Sequence, residues 1–400
     1  MIDAYLYDGL RSPIGRHGGG LASIRPDDMA ATLIRAVLDR SPFTADQVED
    51  VVLGNTTQSG EDSRNVARHA ALLAGLPVDV AGQTVNRLCG SGLAAAIDAA
   101  RAIRCGDGSV YIAGGVESMT RAPFILGKSE QAWGRDGRIF DSTIGVRFPN
   151  SRLVAEFGNH SMPETADNVA ADLGLRREDC DLFAAASQRK YAAAKQAGFF
   201  DGEIHPLTIP GRKGDTTVSA DEHPRAETNV ESLAKLKPLF AGGVVTAGNA
   251  SGINDGACAL VMGNLQVGQA AGAKPMARIL SVAVAGIAPR VMGLGPVPAC
   301  RKALNRAGLS LADMDLIEIN EAFAAQVLGC LKLLNLSADD SRLNPNGGAI
   351  AIGHPLGCSG ARLLLTAARH LRNTNGRYAL VSLCIGVGHG IAMVIENVKE

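Results

Sequence analysis

Two cysteines and one histidine stand where this chain could present reactive side chains. Cys89 closes "VNRLC", an apolar, strand-like run; Gly90, Ser91 and Gly92 follow, and then an Ala-rich segment with helical spacing. At such a strand-to-helix corner, unpaired N–H groups and the positive end of the peptide dipole favour a thiolate, hence a nucleophile. The corner alone suits a small buried hydrophobe equally well. His354, in "NGGAIAIGHPLGCSGA" (346–361), precedes Pro355 and has glycines on both sides, which places it in an irregular loop rather than on an apolar helix face. Cys384 ends another strand-like run and enters "CIGVGHG" (384–390), a turn of alternating glycines whose N–H groups can point at one oxygen. A nucleophile, a second reactive side chain and an oxyanion-binding loop form a constellation that none makes alone.

These residues need elements to hold them. Apolar runs at 48–55, 109–119, 314–322 and 377–388 alternate with Ala/Leu-rich helical segments, the pattern of an α/β protein. The chain also repeats itself. "SGLAAAIDAARAI" (91–103) matches "SGARLLLTAARHL" (359–371) in Ser-Gly, in Ala-Ala-Arg and in apolar spacing. An offset of about 267 residues also brings "VYIAGGVESM" near "YALVSLCIGVG" and "AVLDRSPFTADQVEDVVLGN" near "ALNRAGLSLADMDLIEIN". Two related halves follow, 1–120 with a closing segment at 245–270, and 271–400. Cys89 and His354 then occupy equivalent corners. Residues 121–244 have no repeat partner; their first part is rich in Gly, Pro and charge and holds the only Trp, as an inserted loop domain carrying substrate specificity would.

Composition narrows the function. A net charge of -1 without a long basic run lacks the footprint of a nucleic-acid binder. No run approaches membrane-spanning length and the N-terminus has no signal pattern, so a soluble cytoplasmic protein is expected, without membrane partners. Eight cysteines without CxxC pairs or short Cys/His spacing point to reduced thiols and no metal.

Over essentially its full length the sequence resembles the thiolases, the acyl-CoA:acetyl-CoA acyltransferases. "NRLCGSG", "NEAFA" (320–324), "NPNGGAIAIGHPLGCSGA" and "CIGVGHG" stand in that family's order, and "TAGNASGINDGA" (246–257) looks like its coenzyme A channel segment. The resemblance implies a duplicated five-layered α/β/α/β/α fold with an inserted loop domain. It implies Cys89 as the acylated nucleophile, His354 as its activator and that of the incoming CoA thiol, and Cys384 as acid/base at the α-carbon. Asn320 would hold a water that forms one oxyanion site with His354, and the N–H groups of Cys89 and Gly386 the other. Ser251, Ala247, Arg225, His160, Met162, Met292 and Phe323 would contact CoA, although ordinary core packing would also account for Met292 and Phe323. CoA is then a co-substrate, no cofactor is held permanently, and a homo-oligomer, dimer or tetramer, is expected. These residue types suit Claisen cleavage: an acyl-cysteine splits one transfer into two, and a thiol is a reasonable proton donor to an enolate.

Within the family, "ESMTRAPFILGK", "FDSTIG", "SMPETADN", "DEHPRAETN" and "VMGLGPVPA" look most like the 3-oxoadipyl-CoA thiolases of aromatic-compound degradation. A distal carboxylate bound out of water needs a cation or several donors. The insertion offers Arg121, Arg135, Arg138, Arg147 and Arg152, with Arg147 the first candidate. Val146 stands where that subgroup leads one to expect Trp, and His389 where the family leads one to expect Gln, beside Cys384. A biosynthetic or general short-chain acetyl-CoA C-acetyltransferase is the alternative in the same class. A non-catalytic acyl-CoA or lipid-binding protein of this fold is the alternative in another, which intact Cys89, His354 and Cys384 oppose.

Overall fold

The computed structural model describes residues 3–212 and 214–398. Its main sheet is built from nine strands: β1 (Ala4–Arg11), β2 (Val48–Gly54), β3 (Ala81–Val85), β4 (Val110–Ser118), β5 (Asn254–Asn264), β6 (Ala277–Gly286), β7 (Leu316–Ile319), β8 (Tyr378–Ile385) and β9 (His389–Asn397), with a two-residue strand at 15–16 beside β5. The strand order is β7-β8-β9-β6-β1-β5-β4-β2-β3. Around it lie α1 (Pro26–Asp39), α2 (Val66–Leu73), α3 (Ser91–Cys105), α4 (Ser151–Phe157), α5 (Met162–Leu173), α6 (Arg177–Gln196), α7 (Pro296–Ala307), α8 (Ala324–Leu334) and α9 (Leu356–Thr374).

The repeat seen in the sequence is a repeat of topology. β2 and β4 are parallel, β4 and β5 antiparallel, β5 and β1 antiparallel; β7, β8, β9 and β6 repeat the same senses in the same order. The halves meet edge to edge where Tyr5 pairs with Arg278 and Leu6 with Ala277. Helices α1 and α2 cover the outer face of the first half, α7 and α8 that of the second, and α3 and α9 pack on each other between the two. That is the five-layered α/β/α/β/α arrangement.

The central helices touch because their contact faces are small. A Cβ on Gly92 would come 2.5 Å from the Gly357 carbonyl oxygen, and one on Gly115 would run into the same oxygen. This close approach brings the start of α3, after Cys89, beside the start of α9, after His354. The span 121–244 adds two short ribbons (124–126 with 139–141, 207–209 with 216–218) and the helices α4, α5 and α6. Helix α5 begins with a capping box, Ser161 with Glu164, which ends the mixed-polarity loop before it.

Candidate active site

Cys89 sits one residue before the Gly90 N-cap of α3. Ser91, in the repeated Ser-Gly, shapes this corner: its hydroxyl accepts from the Arg87 N–H at 2.8 Å and donates to the Leu88 carbonyl at 2.6 Å. Leu88 is left at φ 45, a left-handed conformation that costs a bulky residue energy. The amides of Gly386 and of Cys89 itself both donate toward the Cys89 sulfur. The expected thiolate is nevertheless overturned: burial outweighs both donors and pushes the thiol up to about 11. Cys89 therefore rests protonated and needs a base.

The residue expected to take that proton is His354. It is 4% exposed, and burial, followed by the positive charge of Arg362, lowers its pKa to about 3, so the ring is neutral. Ser359, the second copy of the repeated serine, fixes the tautomer. Its hydroxyl donates to the Pro355 carbonyl at 2.8 Å, leaving its oxygen to accept Nδ1–H at 2.7 Å. Nε2 is then the basic nitrogen, with the Asn320 amide 3.4 Å away. The Asn320 Oδ1 is buried without a partner among the described residues, as suits a group that accepts a hydrogen bond from a water or a ligand. The His354 N–H is held by Asn254 at 2.9 Å.

The neutral imidazole predicts an acid-stability effect. Unfolded, His354 regains its ordinary value of 6.5, so the unfolded chain binds a proton that the folded chain does not between that value and about 3. The stability due to the neutral ring is complete above this window and is lost as pH falls through it. Relative to H354N, the wild type is expected to lose about 1.4 kcal/mol per pH unit below 6.5, read from urea midpoints at each pH. Parallel profiles would contradict the neutral ring.

Cys384 is the last residue but one of β8, 1% exposed, and the turn Gly386–Val387–Gly388 links it to β9. Val387 at φ 63 is a second strained, non-glycine residue, so both walls of the site carry backbone strain. Burial pushes the Cys384 thiol well above its usual range, and charge on Cys89 pushes it the same way, so the two sulfurs are coupled and Cys384 holds its proton more firmly once Cys89 has lost its own. Cys384 packs with Met292, Phe323, Met162, Ala166, Val245 and Ala250 in one small apolar cluster. Met292 and Phe323 are thus core residues and site walls at once.

The segment 246–251 runs along 322–324: Ser251 N–H bonds the Ala322 carbonyl at 2.9 Å and Ala324 N–H the Asn249 carbonyl at 2.8 Å. Ala247 is exposed beside it. Arg225 is exposed on a loop whose neighbouring His223 rests against Gly252, which brings that loop to the same segment. His160 and Met162 line a small groove of about 80 Å³ with Val146, Leu153, Phe157 and Val387. His389 directly follows the glycine turn and pairs with Ile385, the residue after Cys384, and it is exposed. Among the insertion arginines, Arg121 is occupied by Glu61 at 2.6 Å, and Arg135, Arg138 and Arg152 are exposed. Arg147 is half-buried, its Nη1 3.4 Å from both the Thr57 carbonyl and Ser59 Oγ.

The chain matches the family model for the thiolase N-terminal domain over residues 4–265 and that for the thiolase C-terminal domain over 273–397. The chain belongs to the thiolase family. It is 56% identical over 401 residues, 100% of both chains, to an Escherichia coli protein named 3-oxoadipyl-CoA/3-oxo-5,6-dehydrosuberyl-CoA thiolase. It is 54% identical, again over 100% of both, to a beta-ketoadipyl-CoA thiolase of Acinetobacter baylyi. The crystal structure of the Bacillus anthracis acetyl-CoA acetyltransferase matches with a TM-score of 0.93 at 39% identity, covering 100% of this chain and 99% of that one.

As a thiolase the chain is an acyltransferase whose family uses acyl-CoA and CoA as substrates. Among the described residues no helix is long and apolar enough to cross a membrane, and no group of three or more His, Cys, Asp or Glu is placed to hold a metal. Several supports of the thiolase site escaped the sequence reading. Glu117, fully buried, accepts from the backbone and hydroxyls of Thr56 and Thr57 and from the Gly357 N–H at 2.9 Å, joining the two halves at the start of α9. Glu321 accepts from Ser187 at 2.6 Å and Asn344 at 2.9 Å, anchoring the residue next to Asn320. Ser359 alone had a signal, its place in the repeat.

Proposed function

We propose that this thiolase cleaves 3-oxoadipyl-CoA with CoA to succinyl-CoA and acetyl-CoA through an acyl group on Cys89. The observation that carries the role of the site is the convergence on one sulfur: the N–H groups of Cys89 and Gly386 point at it, while Cys384 is coupled to its charge. His354 Nε2 takes the Cys89 proton, and the thiolate adds to the 3-oxo carbon. The two amides receive the oxygen that becomes negative. The C–C bond breaks, Cys89 keeps the succinyl group, and the enolate of acetyl-CoA forms with its oxygen toward Asn320 and the newly made Nε2–H. Cys384 gives its proton to the enolate carbon. After acetyl-CoA leaves and the Nε2 proton has restored the Cys384 thiol, the CoA thiol gives its proton to the again neutral His354 and takes the succinyl group from Cys89, whose departing thiolate recovers that proton.

The acyl substrate follows from the names of the relatives at 56% and 54% identity, against 39% for the acetyl-CoA acetyltransferase. In this reading residues 121–244 are a loop domain that selects the acyl group, and Arg147, which has no carboxylate partner among the described residues, takes the distal carboxylate. One observation favours the general short-chain reading: apolar Val146, Leu153, Val154, Phe157 and Val387 dominate the groove beside the glycine turn. Thiolysis separates the two. 3-Oxoadipyl-CoA is expected to be preferred over uncharged 3-oxohexanoyl-CoA, and R147A to lower that preference about 30-fold, the lower end for a truncated charge pair at a half-buried site, with acetoacetyl-CoA thiolysis nearly unchanged. Equal handling of the two six-carbon substrates by the wild type would sink the oxoadipyl reading. A preference that survives R147A moves the role to Arg135, Arg138 or Arg152. The cytoplasm as its compartment and a homo-oligomer as its state belong to the same proposal, the latter supported by the exposed Trp133, Phe124 and Leu126 of the insertion.

A further inference from the structure

Two buried ionisable residues outside the candidate reacting groups have, among the described residues, no hydrogen-bond partner at their ionisable ends, and burial raises the Glu318 carboxyl to about 8. Glu318, in β7, is fully buried and neither carboxylate oxygen has a donor. Arg362, in α9, is 2% exposed and neither Nη1 nor Nη2 has an acceptor. Such groups are costly, and a fold that keeps them asks for a reason.

Each lies on one of the two elements that grip His354. Ser359, which accepts Nδ1–H, is three residues before Arg362 and on the same side of α9. Asn320, which faces Nε2, is two residues after Glu318 and continues the ladder of β7 through its N–H to the Ser382 carbonyl at 2.9 Å, so the two share a face. Arg362 acts electrostatically on both Glu318 and His354, so it lies near each. The other charges acting on Glu318 are Glu321 just after β7, Lys190 on α6 and Glu203 beyond α6. Glu117 meets the start of the same helix, bonded to the Gly357 N–H, and the thiols of Cys89 and Cys384 act on each other.

We propose that Arg362 and Glu318 are positioning residues for the imidazole: a buried, water-bridged pair that holds α9 against β7, and so His354 against Asn320. The inference rests on the reading of His354 as the base for Cys89. It assigns to the pair no contact with substrate. Replacing the guanidinium by a neutral group removes the field that opposes a second proton on the ring, whereas lysine retains it.

The test is the titration of histidine ring nitrogens in ¹⁵N-histidine-labelled full-length protein, with the His354 signals assigned by their loss in H354N. Wild type and R362K are expected to show a neutral, Nδ1-protonated ring down to pH 5. R362Q is expected to titrate about one unit higher or more, with the acid limb of its kcat/KM profile moving up by the same amount. A titration of R362Q that overlays wild type overturns the inference. Should R362Q not fold, E318Q decides: kcat is expected to fall about tenfold with KM for CoA within about twofold, and an unchanged kcat overturns the pairing. The titration reads the ring and not the reaction, so its failure leaves the thiolase mechanism standing; that mechanism fails separately if H354N still acylates Cys89 at the wild-type rate.

Discussion

Cys89→Ser is expected to lose thiolysis by about 10⁴-fold or more, the scale on which enzymes lose activity when the nucleophile of a cooperating set is removed. Wild-type protein incubated with acyl-CoA and digested should carry the acyl mass on the peptide containing Cys89. The structure sharpens the reason. The Cys89 thiol, held at about 11 by burial, is not a ready thiolate, so in the proposed mechanism its reactivity depends on a proton passing to His354. A serine hydroxyl is a far weaker acid, and a neutral imidazole with a lowered pKa cannot make up the difference. Acyl mass on Cys384 in place of Cys89 would reverse the assignment of the two thiols.

Cys384→Ala should separate the half-reactions. Acylation by acetyl-CoA needs only Cys89, His354 and the amides that face the sulfur, and it is expected to persist. Exchange of the α-protons of acetyl-CoA with solvent needs the second thiol and should fall about 10²- to 10⁴-fold, the usual range for one positioned acid/base. The substitution removes one sulfur from a cluster otherwise kept by Met292, Phe323 and Ala166, so the folded site should survive it. Mass spectrometry of the acetylated peptide and loss of deuterium from labelled acetyl-CoA measure the two steps independently. A parallel fall of both would assign Cys384 to acylation as well and undo the division of roles.

The local signals in the chain were strong where chemistry and backbone geometry coincide. The apolar runs read as strands became β2, β4, β7 and β8, with ends displaced by at most a few residues, because their faces are buried on both sides and their composition records it. The repeat carried more information than any single motif. It paired two corners, and the structure puts Ser91 and Ser359 at them in the same work of tying a hydroxyl to the carbonyl that precedes the helix. Where the sequence reading failed, long-range burial had reversed a local expectation. A helix N-terminus pulls a thiol down, but the mass of protein around Cys89 pushes harder, and no inspection of residues 85–103 could weigh the two.

The sequence by itself determined the alternation of strands and helices and the duplication, and singled out the three candidate reacting side chains, because each depends on neighbours within a few residues or on an internal copy. Tertiary structure alone decided how these groups behave. Glu117 reaches Gly357 across 240 positions and Ser187 reaches Glu321 across 134, so the supports of the site leave no local pattern to read. Protonation was likewise decided at a distance. His354 is neutral because a closed interior withdraws water from it, and the partly accessible Cys89 thiol is raised by the protein packed around it; how much protein surrounds a group is a property of the whole packed chain.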